Sequence, residues 1–125
     1  VWPVLRCRET HVLIDFLVEA FGFEEQLVVP YQDNKGIIHA QVLWPTGGGV
    51  MLGDILPIDD HHLELPTGPV SIYVVTDQPD YLHDRAVSAG ATIVRGLQDE
   101  DYGSRGFSVI DPEGNVWSFG TYSGD

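Results

Sequence analysis

Cysteine, methionine and positive charge are all scarce in this chain. Cys7 is the only cysteine, so no internal disulfide can form, and its apolar surroundings point to a buried, inert thiol. Six lysines and arginines stand against nineteen acidic residues, a formal charge of -13. A phosphate backbone or an anionic bilayer is repelled by such a surface, so neither nucleic acid nor membrane is an expected partner. Long apolar runs are missing too. The stretch Val70 to Val75 falls far short of the roughly 20 residues that span a bilayer, and no charged-then-apolar leader opens the chain, so a cytoplasmic protein is expected. Motifs of nucleophilic catalysis and phosphate binding are also lacking. No serine sits in a Gly-x-Ser-x-Gly elbow, and Gly47 to Gly49 are followed by neither a helix nor a lysine.

What the chain does have is size and repetition. Its 125 residues, 43% of them hydrophobic, suffice for one domain with a real core. VLRCRE (Val4 to Glu9) and IYVVTD (Ile72 to Asp77) are short apolar segments that each end in an acid. Each precedes a helical pattern. Leu13, Phe16, Leu17, Ala20 and Phe21 share one face in the first, with Thr10 as the expected N-cap; Leu82, Ala86 and Ala89 do so in the second, after Asp77 and Pro79. Gly22 and Gly90 close the two helices. Later, HAQVLWPTGGGVML (His39 to Leu52) and GFSVIDPEGNVWS (Gly106 to Ser118) each place Pro-x-Gly between strand-like runs, which is hairpin chemistry. Each half thus reads as strand, helix and three strands. The expected modules cover residues 1–54 and 69–125, joined by a polar linker over residues 55–68.

A duplicated βαβββ unit closing on DPEGNVWSF resembles the vicinal oxygen chelate superfamily, which includes glyoxalase I, bleomycin-resistance proteins and extradiol dioxygenases. The resemblance implies an α+β fold in which tandem βαβββ modules form a curved mixed sheet, with helices on the convex face and a ligand in the concavity. It also implies metal-ligand positions on the first and last strand of each module. These fall at Trp2, Leu52, Ser71 and Ser118, where metalloenzymes of the family carry His, Gln or Glu. None of the four suits a divalent cation, so neither metal nor cofactor is expected.

Strand alternation sorts the remaining side chains. Trp2, Val4, Arg6, Ser71, Tyr73, Val116 and Ser118 share the cavity side with His39, Gln41, Leu43, Ser108 and Ile110; Leu5, Cys7, Ala40, Val42, Ile72, Val74, Phe107, Val109, Trp117 and Phe119 face the helices. Tyr102 joins the cavity set as a hydrogen-bond donor. Arg6 either pins a ligand carboxylate or pairs with Asp54 or Glu9 at the surface. The donors in DDHHLE (Asp59 to Glu64) read as a solvated acidic loop. The expected function is sequestration of a small molecule, an antibiotic being one candidate, by a homodimer. Two enzymatic readings stay open: a metal-dependent lyase or dioxygenase using His39, Gln41 and a partner-chain residue, and a cofactor-free enzyme with His39 as general base.

Overall fold

The computed structural model describes residues 1–55 and 69–124. Asp59 to Glu64 and most of the linker lie outside the described residues. The first module runs β1 (Val4–Cys7), α1 (Thr10–Phe16) with a π-helical extension (Leu17–Phe21), β2 (Glu24–Pro30), β3 (Ile37–Leu43) and β4 (Gly49–Asp54). The second repeats the plan as β5 (Ser71–Val75), α2 (Pro79–Ser88), β6 (Thr92–Asp99), β7 (Arg105–Ile110) and β8 (Val116–Gly120). Strand orders are β1-β4-β3-β2 and β5-β8-β7-β6. The first and last strands of each module pair in parallel and the rest antiparallel. A parallel pair cannot be joined by a tight turn, and each helix lies on the route between the parallel strands.

By contacts the chain divides into two compact units, Val1–Val18 with Gly22–Gly68, and Glu19–Phe21 with Pro69–Asp125. Leu5, Cys7, Leu13, Ile14, Leu17, Ala40, Val42, Val50 and Leu52 are buried in the first. In the second, Phe21 packs 4.6 Å edge-on against Phe119 and 5.7 Å from Trp117, beside buried Leu82, Ala86 and Phe107. The final turn of the first helix therefore belongs to the second core.

Two helix details differ from expectation. Thr10 is the first helical residue and Glu9 the N-cap, because the Thr10 hydroxyl donates to Asp54 on β4 and is spent there. Ala89 is exposed, since α2 ends at Ser88 and Ala89 is its cap. Both helices then end through left-handed glycines, Gly22 at φ 84° and Gly90 at φ 83°, a conformation that costs glycine little. The segment from Glu9 to Gly22 is one residue longer than that from Gln78 to Gly90, and the π-helical turn absorbs the extra residue.

Candidate functional site

In the second module the helix-free face of the sheet carries one continuous row of side chains. Tyr73 pairs with Ser118, Ser118 with Ser108, and Ser108 with Arg95. Their neighbours Trp117, Phe119, Phe107 and Val109 point the other way and are buried. A pocket of about 180 Å³ opens over this row. Its floor is the hydrogen-bonded pair Ser108 Oγ and Ser118 Oγ, 2.8 Å apart. Glu100, Tyr102 and Ser104, from the turn between β6 and β7, form a second wall.

Each wall residue is held. Arg95 Nη2 lies 2.6 Å from Glu100 Oε1, which also accepts from Gln98 Nε2 at 3.1 Å. The Tyr73 hydroxyl donates to the Tyr122 carbonyl at 2.7 Å, and Tyr102 meets the Tyr122 ring edge-on at 6.0 Å. Gly120 makes room for this: a Cβ there would lie 2.7 Å from the Tyr73 hydroxyl. The site thus offers three serine hydroxyls, two phenols and a charge pair around a small hollow, the mixed lining that small-molecule sites use.

The first module carries the equivalent row with different chemistry. Val4 pairs with Met51, Met51 with Gln41, and Gln41 with Leu27. His39 Nε2 and Gln41 Oε1 are 2.8 Å apart, and Gln41 Nε2 donates to Gln26 Oε1 at 2.8 Å. The Trp2 ring lies over Gly49 and the Arg6 guanidinium over Gly53; a Cβ on either glycine would sit 2.6 Å from Trp2 Cζ3 or 2.8 Å from Arg6 Nη1. The expected pairing of Arg6 with Asp54 or Glu9 is not made. Asp54 follows Gly53 and points to the opposite face, where it accepts from Thr10 and from the Ile37 N–H.

Of the ten candidate residues, the structure gathers Tyr73, Tyr102, Ser108 and Ser118 around one pocket, and Trp2, Arg6, His39 and Gln41 onto the open face of the first module. Ser71 is exposed at the start of β5, on the Tyr73 face but outside the pocket lining. Leu52 requires correction: it is 1% exposed and faces the core beside Leu5 and Ala40. The hairpin registers pair Gln41 with Met51 and Ser108 with Ser118, so Met51 is the counterpart of Ser118. The family's metal positions therefore fall at Trp2, Met51, Ser71 and Ser118. An indole, a thioether and two hydroxyls do not fit a divalent cation that takes imidazole or carboxylate donors. Among the described residues, no three His, Cys, Asp or Glu side chains converge on one point.

Arg95, Glu100, Ser104, Met51 and Tyr122 escaped the sequence reading. Bulges on β6 between Ile93 and Arg95 and between Arg95 and Gln98 break the alternation that would have exposed Arg95. The Glu-x-Tyr-x-Ser spacing of Glu100, Tyr102 and Ser104 was the one available signal for that wall.

Known proteins agree with this architecture. A model of the Glyoxalase/Bleomycin resistance protein/Dioxygenase superfamily matches residues 1–119. An uncharacterised protein of Mycobacterium bovis is 40% identical over 123 residues, covering 94% of this chain and 80% of the relative. The crystal structure of TioX from Micromonospora sp. ML1 superposes with a TM-score of 0.83 at 29% identity, covering 96% of this chain and 95% of that one. Lactoylglutathione lyase from Agrobacterium tumefaciens shares the fold, with a TM-score of 0.74 at 16% identity and coverage of 96% and 90%. With its duplicated βαβββ plan and a family match over nearly its whole length, the chain belongs to the Glyoxalase/Bleomycin resistance protein/Dioxygenase superfamily.

Proposed function

We propose that this protein binds a small organic molecule on the open faces of its two sheets without the aid of a metal ion. The observation that carries the reading is the second-module pocket, where Tyr73, Ser108 and Ser118 stand in one row with Arg95 and face Tyr102 and Glu100. Hydroxyls and phenols at this spacing recognise a ligand by hydrogen bonds and aromatic contact. Polar groups of the pocket are engaged in holding its walls, Glu100 with Arg95 and the Tyr73 hydroxyl with the Tyr122 carbonyl, which favours binding over nucleophilic catalysis. Sequestration, of an antibiotic or of another compact metabolite, is the role such a site supports. Further parts of the proposal are a homodimer, which would cover exposed apolar residues such as Leu27, Val29 and Val94, and residence in the cytoplasm.

The test is a screen of a mixed small-molecule library by amide NMR on the full chain. Saturable shifts at Ser108, Ser118 and Tyr102, reduced in Ser118→Val, are expected. A library without a hit at millimolar concentration, or hits that leave these three amides unmoved, contradicts the proposal.

A further inference from the structure

We infer that the second-module pocket selects an uncharged, flat molecule that presents a hydrogen-bond acceptor, a carbonyl oxygen above all, to its unspent hydroxyl protons. The inference rests on the proposed binding at this pocket and names the chemistry of the ligand. Two observations carry it. The first is an inventory of donors. Ser108 Oγ and Ser118 Oγ share one hydrogen bond, so one of their protons is spent and the other has no acceptor among the described residues. Ser104 Oγ accepts from the Tyr122 N–H at 3.2 Å, and its own proton is likewise without an acceptor among them, although the residue is only 5% exposed. The Tyr102 ring meets Tyr122, but its hydroxyl makes no hydrogen bond among the described residues. Tyr73 is the exception, because its proton goes to the Tyr122 carbonyl. A buried hydroxyl proton without an acceptor costs free energy, and a ligand oxygen placed against it removes that cost.

The second observation is the balance of charge. Arg95 and Glu100 are the only charged side chains among the described residues that line the pocket, and they lie 2.6 Å apart. The carboxylate is held further by Gln98 Nε2. A cationic ligand would face Arg95, whereas an anionic one would face Glu100 and a chain whose formal charge is -13. An uncharged ligand leaves the pair intact. The rings of Tyr73 and Tyr102 give the walls aromatic surface, which suits a flat body, and the volume of about 180 Å³ suits a compact bicyclic one.

The test compares bicyclic probes of similar size: 1-indanone as acceptor, indole as donor, 1-aminoindane as cation and indane-1-carboxylate as anion. Each is titrated into the full chain, with the amide shifts of Ser108, Ser118 and Tyr102 as the readout. 1-Indanone is expected to shift them saturably and to bind about threefold to tenfold tighter than each of the others. Ser104→Ala and Tyr102→Phe should each weaken 1-indanone about threefold and leave indole unchanged, with circular dichroism confirming the fold; Tyr102→Phe removes only an exposed hydroxyl and so guards against a folding defect in the other variant. Tyr73→Phe should keep the preference for 1-indanone over indole, since the proton it removes is already spent. A loss in one of the first two variants alone keeps the inference and assigns the carbonyl to that hydroxyl. Indole or either ion binding as tightly as 1-indanone overturns it, as does unchanged affinity for 1-indanone in both variants. If no probe moves these amides the inference falls; library hits at the same amides would then leave the pocket as a binding site, and a library without hits would sink both.

Discussion

The two modules share a backbone plan and differ in what they set upon it. Register makes Val4, Met51, Gln41 and Leu27 the counterparts of Tyr73, Ser118, Ser108 and Arg95. One row is mostly apolar with an amide, and the other is hydroxylic with a cation. The space-making glycines correspond as well, Gly53 with Gly120, each lying under a long polar side chain from the neighbouring parallel strand. Yet the covering side chains differ in position and chemistry: Arg6 sits beside its glycine, while Tyr73 reaches over from two residues earlier. Duplication thus conserved the rules of pairing and packing, whereas the open face was free to diverge. That face is where we propose that the ligand is recognised.

The hairpins differ in the same way. Trp44 and Asp111 open equivalent turns, with Trp44 N–H donating to Gly48 O and Asp111 N–H to Asn115 O. The first turn is steadied by packing, with the Trp44 ring 4.9 Å from Phe23. The second is steadied by the buried Asp111 carboxylate, which accepts from the N–H groups of Glu113 and Asn115, from Asn115 Nδ2 and from Trp117 Nε1.

These differences can be broken one at a time. The largest effect is expected at the corrected register: Leu52→Ala should lose about 2 to 5 kcal/mol in urea unfolding, and Met51→Ala about 1 kcal/mol or less. Equal losses would mean that the two residues do not lie on opposite faces. Asp111→Ala strands a buried indole N–H and two backbone donors, and should cost about 2 to 4 kcal/mol. A loss confined to the solvent-screened level of a surface residue would contradict the carboxylate's role as the hairpin's clamp.

Smaller effects separate the two glycines. Gly53→Ala drives a Cβ to 2.6 Å from the Ile38 carbonyl, which is backbone, whereas Gly120→Ala meets only the Tyr73 and Ser104 side chains. The first should cost about 1 to 3 kcal/mol, and the second less than about 1 kcal/mol while displacing Tyr73 from the pocket. Melting temperatures in the reverse order would break the pairing of these positions.

The smallest contrast is electrostatic. Arg105 hydrogen-bonds Asp80 at 2.8 and 3.2 Å, and holds its carboxyl below the ordinary value of 3.8. A carboxyl with a depressed folded pKa stabilises fully above its unfolded value and loses that contribution as pH falls through the folded one. The excess stability of wild type over Arg105→Met should therefore be present at neutral pH and shrink below about pH 4, modestly because both groups are solvent-exposed. A difference independent of pH would show that Arg105 acts by packing alone.

Much of this was legible in the sequence because the constraints are local. Gly22 and Gly90 mark helix ends, Pro-x-Gly marks hairpins, and alternation put Trp117 and Phe119 inside with Ser118 between them on the open face. Met51 takes the open face instead of Leu52 because the two hairpin turns, Trp44 to Gly48 and Asp111 to Asn115, are equal in length, and reading the second as one residue shorter reverses a side chain's face. Arg95 and Glu100 were hidden by bulges and by a turn whose geometry only the folded backbone supplies. A small hydroxyl at position 118 was visible from the start. Its hydrogen bond to Ser108 required the register.

The central claim is that the open faces bind without a metal, and equilibrium dialysis of the full chain against zinc, nickel and manganese, read by elemental mass spectrometry, tests it most directly. No stoichiometric ion is expected in a double variant His61→Ala, His62→Ala, and any weaker binding by wild type should be unaffected by His39→Ala. One tightly held ion per chain that survives the double variant and vanishes with His39→Ala would contradict it.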